Sequence, residues 1–211
     1  MKRKTRVANG IVHVIDDDAA LRDSVAFLLG AAGFSVRLYE SAQTFLHELA
    51  ALEPGCVITD VRMPGIDGLE LLRLLREAGQ SLAVIVMTGH GDVSLAVRAM
   101  KLGAIDFVEK PFEDEVMIDT VRAALANGAS SGGAVYRVDE ELASRLASLS
   151  HREKQVLAGL VDGRTNKEIA RQFDLSPRTV EVYRAKLMAK MQASNISELV
   201  RFAMRAGVSV G

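Results

Sequence analysis

IVHVIDDD, residues 11–18, runs from a β-branched apolar stretch straight into three aspartates. A run this short and this apolar suits a strand buried on both faces, as in a parallel sheet covered by helices. Four further runs lie at 35–39, 56–60, 83–88 and 106–109, and two of them (CVIT and AVIVMT) are again almost continuously apolar. Between the runs, apolar residues recur at helical spacing: Leu21, Val25, Leu28 and Leu29 mark one helix, Leu69, Leu72 and Leu75 another. Gly33, Gly79 and Gly103 stand where such helices stop. Strand and helix alternating through short connections require right-handed crossovers. The expected fold class is therefore α/β, a doubly wound five-stranded parallel sheet, which with strand order 2-1-3-4-5 makes strands one and three neighbours at the switch point.

That pattern ends at NGASSGG, residues 127–133, which holds nothing to bury and several residues that favour a flexible backbone. We take 127–138 as a flexible linker between a first domain at 10–126 and a second at 139–211. No strand pattern follows the linker. Helices are expected at 152–162, 166–173, 177–191 and 196–206, with a lead-in helix at 139–147. Ser150 with Glu153 and Thr165 with Glu168 have capping-box spacing, and Ser176-Pro177 is an N-cap followed by proline at the first helical position. The second domain reads as smaller and all-α.

Composition narrows the classes. With 49% apolar and 25% charged residues, the chain is neither disordered nor a collagen or coiled-coil repeat. The longest apolar run, 82–87, is far too short to span a bilayer, so no membrane partner is expected. The basic start MKRKTR is followed by a run broken by His13 and stopped by aspartates, which does not suit a signal peptide. A lone cysteine, Cys56, fits a reducing compartment, and a cytoplasmic location is expected. Charge is uneven. Residues 7–133 carry 9 basic and 18 acidic side chains, whereas 134–211 carry 13 and 9, with 7 basic against 3 acidic inside 164–190. An acidic body joined to a basic piece implies different partners for the two.

In an open α/β sheet, ligands bind beyond the carboxyl ends of the strands. Asp16, Asp17 and Asp18 follow the first strand, Asp60 ends the third, Thr88 ends the fourth and Lys110 follows the fifth. Asp16, Asp17 and Asp60 should converge and need a cation, and an all-oxygen set favours Mg²⁺. A carboxylate beside that ion can attack phosphorus. Thr88 can hydrogen-bond a phosphoryl oxygen and Lys110 can pair with its charge. Asp18 is more simply the cap of the helix starting near Ala20. Two competing readings fail: GHG at 89–91 lacks the third glycine of a dinucleotide loop, and the Asp16/Asp18 spacing of an aspartate-nucleophile phosphatase finds no other support. His13 and His47 read as structural or surface residues, and His90 lies in the loop after Thr88.

In the second domain, 166–173, the turn Asp174-Leu175 and 177–191 read as a helix-turn-helix. Ile169, Ala170, Phe173, Val180 and Leu187 face inward at helical spacing, while Arg178, Arg184, Lys186 and Lys190 are expected to point outward. Such a face meets phosphates, and the first turns of the second helix meet base edges. Lys167, Thr179, Glu181 and Val182 complete the expected DNA-contacting set. Glu181 either accepts a hydrogen bond from a base or pairs with Arg178 or Arg184 on its own helix.

VIDDD, VITDVRMPGIDG, VMTGHGD and DFVEKPF resemble the receiver domain of two-component response regulators. LSHREKQVLAGLVDGRTNKEIARQFDLSPRTVEVYRAKLMAKM resembles the LuxR-type DNA-binding domain. Together the halves resemble the NarL/FixJ family. The resemblance implies phosphorylation of Asp60 by a cognate sensor histidine kinase. It also implies an acid pair Asp16 and Asp17, Mg²⁺ held with the help of the Arg62 backbone carbonyl, a switch pair Thr88 and Phe107, and a cis bond at Lys110-Pro111. As partners it implies double-stranded promoter DNA, RNA polymerase and a second copy of the chain, with helix 93–102 and the fifth strand as the dimer face. The chain would be a transcriptional regulator, not an enzyme acting on a separate substrate. The departure is Tyr183, where many relatives have histidine. A scaffold with a vestigial DNA module is the alternative of another class, and the basic residues of 177–191 speak against it.

Overall fold

The computed structural model describes residues 10–89, 93–128, 140–193 and 196–208. By contact the chain forms two compact units, residues 1–90 with 101–134, and residues 91–100 with 135–211. Among the described residues, 93–100 group by contact with the second unit.

In the first unit, β1 (Ile11–Ile15), β2 (Ser35–Tyr39), β3 (Gly55–Asp60), β4 (Ala83–Thr88) and β5 (Asp106–Glu109) form one sheet of order β2-β1-β3-β4-β5, all parallel. The buried runs β1, β3 and β4 are central, and the more exposed β2 is an edge. Around them pack α1 (Ala19–Ala31), α2 (Ala42–His47), α3 (Gly68–Glu77) and α5 (Asp114–Gly128), with a 3₁₀ turn at Leu49–Ala51. Val12, Val14, Ile58, Ile85 and Met87 of the sheet share a core with Val25 and Leu29 of α1 and Met117 and Val121 of α5. Register decides the site: Ile15 pairs with Thr59, Asp60 with Met87 and Thr88 with Glu109, so residues 16, 60, 88 and 110 reach one edge. α3 passes close beneath it. A Cβ on Gly68 would lie 2.1 Å from the carbonyl oxygen of Asp60, so only glycine lets the helix start there.

α5 runs through Gly128, two residues into the segment expected as linker; residues 129–139 lie outside the described residues.

The second unit takes α4 (Val93–Lys101) through residue 100 and is otherwise helical, with α6 (Glu140–Ala147), α7 (His151–Val161), α8 (Asn166–Phe173), α9 (Pro177–Met191) and α10 (Ile196–Arg205). Both expected capping boxes form, and Ser176 caps α9 with Pro177 at its start. Leu157, Leu160, Ile169, Val180, Leu187, Leu199 and Val200 are among its core residues, and Phe173 packs half-buried against them. α8 ends at Asp174 in the left-handed region, φ 52°, a conformation that a short polar side chain tolerates. Among the described residues, no helix is long and apolar enough to cross a membrane.

Candidate functional site

At the carboxyl edge of the sheet, three of the predicted side chains meet. Lys110 Nζ donates to Asp16 Oδ2 at 2.9 Å and to Asp60 Oδ1 at 2.6 Å. The other oxygen of Asp60 accepts the Arg62 backbone N–H at 2.8 Å. Asp16 is buried, its Oδ1 accepts the Asp18 N–H at 2.9 Å, and its carbonyl accepts Arg22 Nη1 at 2.6 Å. Burial raises the Asp60 carboxyl above its ordinary range, against the lowering pull of Lys110. Burial also disfavours the charged ammonium of Lys110, but its hydrogen bonds to Asp60 and Asp16 outweigh this and raise it. The result is a carboxyl group largely removed from water, paired with one ammonium and set at the sheet edge where it could meet an electrophile.

Thr88 and Phe107 sit beside this group on β4 and β5, both almost fully buried, and the Thr88 carbonyl accepts the Lys110 N–H at 2.7 Å. The Lys110-Pro111 bond is cis. Asp18 caps α1, accepting the N–H groups of Ala20 and Leu21, as expected of it. Asp17 departs from the expected convergence: it is exposed and joins neither Asp60 nor Lys110. Among the described residues, no three His, Cys, Asp or Glu side chains are close enough together to hold a metal ion. His13, by contrast, is wholly buried, with Nε2 at 3.1 Å from the Glu53 carbonyl and its ring against Tyr39 and Phe45. His90 lies outside the described residues.

In the second unit, α8 and α9 stand as a helix-turn-helix, and one face of α9 is open to solvent. Arg178, Glu181, Val182 and Lys186 are exposed along it at helical spacing, and Val182 is 50% exposed, unusual for an apolar residue on a polar face. Thr179 lies in the first turn, its hydroxyl 2.8 Å from the Ser176 hydroxyl. Lys186 leans over the Tyr183 ring at 5.8 Å. Lys167 is exposed in the first turn of α8.

The known receiver domain pattern of response regulators matches residues 12–122, and that of the bacterial regulatory proteins of the luxR family matches 147–203. The transcriptional regulatory protein FixJ of Bradyrhizobium diazoefficiens is 55% identical over 94% of this chain and 97% of its own. FixJ of Azorhizobium caulinodans is 56% identical over 94% and 93%. This chain is a NarL/FixJ-family response regulator. The crystal structure of full-length FixJ from B. japonicum aligns with a TM-score of 0.57 at 53% identity, covering 96% of this chain and 100% of that one. The response regulator TodT of Pseudomonas putida is a more distant relative, 40% identical over 92% of this chain and 86% of its own.

Two basic residues of this response regulator expected to point outward also bond within the chain. Lys190 turns back: its Nζ lies 2.7 Å from Glu153 Oε2 on α7 and 3.4 Å from the Ser148 carbonyl. The cause is Glu153, whose buried carboxylate also closes the α7 capping box and leaves charge that a cation must match. Lys190 and the Ser150 N–H hold that carboxyl down at about 2. Arg184 is half-buried and donates to Asn166 Oδ1 at 2.7 Å, tying α9 to the start of α8. Among the described residues, Glu181 forms no ion pair, so it is not the partner of Arg178 or Arg184. Glu153, Asn166 and Arg22 escaped the sequence reading as site residues. Only Glu153 left a signal, and it pointed to its cap and not to Lys190.

Proposed function

We propose that Asp60 is the phosphoacceptor and that a cognate sensor histidine kinase supplies the phosphoryl group. An Asp60 oxygen attacks phosphorus, an O–P bond forms, and the N–P bond to the kinase histidine breaks. The observation that carries this is the single Lys110 ammonium shared by two buried carboxylates at the switch point of the sheet. Lys110 is then in place to pair with the phosphoryl charge, and the Thr88 hydroxyl to bond one phosphoryl oxygen. Phe107, buried beside Thr88, is the aromatic whose packing would report that bond. Asp16, Asp17, Asp60 and the Arg62 carbonyl would hold Mg²⁺ as an all-oxygen set, and the ion would supply neutralising charge at the acceptor.

Phosphorylated chains dimerise, bind double-stranded promoter DNA through α9 and act on transcription with RNA polymerase, in the cytoplasm. Arg178, Lys186 and Lys167 contact phosphates, while Thr179, Glu181 and Val182 face base edges. Arg184 and Lys190 contact phosphates with what their internal bonds leave free. This reading keeps domain limits of 10–126 and 139–211 about a linker. A gel shift with promoter DNA, with and without acetyl phosphate, tests it: acetyl phosphate should increase binding by the wild type and leave Asp60→Asn unchanged. Equal stimulation of both proteins would overturn it.

A further inference from the structure

The second unit contains a cavity that DNA recognition by α9 does not use. It measures about 620 Å³, within the range of small-ligand sites, and lies among α6, α7, α8 and the chain after α10. Its floor is Leu149 and Leu157, both buried, and its walls include Phe173 and Val208. The wall between α7 and α8 is pinned by Arg152, which donates to the Phe173 carbonyl at 3.2 Å and to Gln155 Oε1 at 3.0 Å. An apolar space with fixed walls gains from any apolar body that displaces its water.

The polar lining is one-sided. His151, Lys154, Gln155 and Gln172 supply an imidazole, an ammonium and two amides, and among the described residues no carboxylate lines the cavity. The nearest acidic residue in sequence, Glu153, is committed to Lys190 and to the Ser150 N–H. The first-turn donors of α7 are partly closed by that same capping box, so the anion-attracting group is the Lys154 side chain and not the helix end. From this lining we infer that the cavity is a binding site for an amphipathic organic carboxylate, with an aromatic or short acyl body on Leu149, Leu157 and Phe173 and its carboxylate at Lys154. Because Phe173 and Gln172 close α8, the first helix of the helix-turn-helix, an occupant stiffens the platform on which α9 rests.

The probe is 1-naphthoate, with the uncharged 1-naphthalenemethanol as comparison, titrated into the ¹⁵N-labelled full chain and followed by amide chemical shifts. Saturable shifts should centre on 146–158 and 172–173, and the alcohol should bind at least about fivefold more weakly. Lys154→Gln, an exposed change, should remove that preference while leaving alcohol binding as it was. Ala158→Phe should block both ligands, and Lys154→Gln still decides the matter if that variant does not fold. Absence of saturable shifts, shifts centred elsewhere, or an unchanged preference in Lys154→Gln would overturn the assignment.

Discussion

The sheet edge and α9 place charge in opposite ways. Asp16, Asp60 and Lys110 are far apart in sequence, with separations of 94 and 50 between the lysine and its partners, yet they meet within hydrogen-bond distance and largely out of water. Arg178, Glu181, Val182 and Lys186 lie within a span of nine positions and are exposed. At the sheet edge each charge is costly alone, so every one is answered by another. On α9 water answers them, which leaves them free for a partner. Buried charge is arranged for chemistry at one atom, exposed charge for contact along a length.

The sharpest way to break this contrast is to neutralise the buried acceptor. Asp60→Asn should abolish labelling from acetyl phosphate, because an amide is a poor nucleophile toward phosphorus. Burial disfavours a charge on Asp60, so the amide should leave the fold intact, checked by circular dichroism. Wild-type labelling of this variant would end the assignment. Removal of divalent cations with EDTA should also suppress labelling. Asp17→Ala should lower Mg²⁺ affinity severalfold in a fluorescence titration while Asp18→Ala, which removes only a helix cap, should not.

Lys190 blurs the contrast, since it lies on the exposed helix but serves a buried carboxylate. Lys190→Ala should destabilise the second unit by about 1–3 kcal/mol in urea unfolding, on top of any loss in DNA affinity. The pH dependence has a definite sign. Glu153 sits at about 2 when folded and near 4.5 when unfolded, so its contribution is complete above pH 4.5 and fades as pH falls toward 2. Unfolding followed between those limits should show wild type losing more stability than Glu153→Gln, and parallel curves would dismiss the pair.

Smaller effects belong to the open face. Glu181→Ala should leave stability alone and alter preference at one base position by about 1–3 kcal/mol, read by site selection; an unchanged preference would remove its base-reading role. Lys186→Ala should weaken binding to all sequences alike and reduce the salt slope by about one unit.

The same contrast governs what could be read in advance. The strands were legible because β1, β3 and β4 are buried on both faces, and their pattern needs no knowledge of the neighbours. The helix caps were legible because they are local. Convergence of Asp16, Asp60 and Lys110 followed once strand order was assumed. Lys190 is exposed as its helical position implies, but periodicity does not say that Glu153, 37 residues earlier, is buried beside it. Asp16 is buried and Asp17 exposed, a difference that adjacency in sequence does not reveal. His13 was left undecided, since a histidine inside an apolar run needs its partners, here Glu53 and Tyr39, to explain it.

The sheet edge also carries a history of synthesis. Lys110 comes from the end of the last strand, so the ion pair with Asp16 cannot close until about 110 residues have been made, roughly 6–22 s into translation. For that interval Asp16 and Asp60 have no ammonium between them. The helix-turn-helix has no such wait, because Asn166 and Arg184, the residues that tie it together, are 18 positions apart. One chain thus acquires its two capabilities on different clocks. The sheet edge, which needs distant partners, begins first, and the helix-turn-helix that follows assembles from neighbours as soon as they appear.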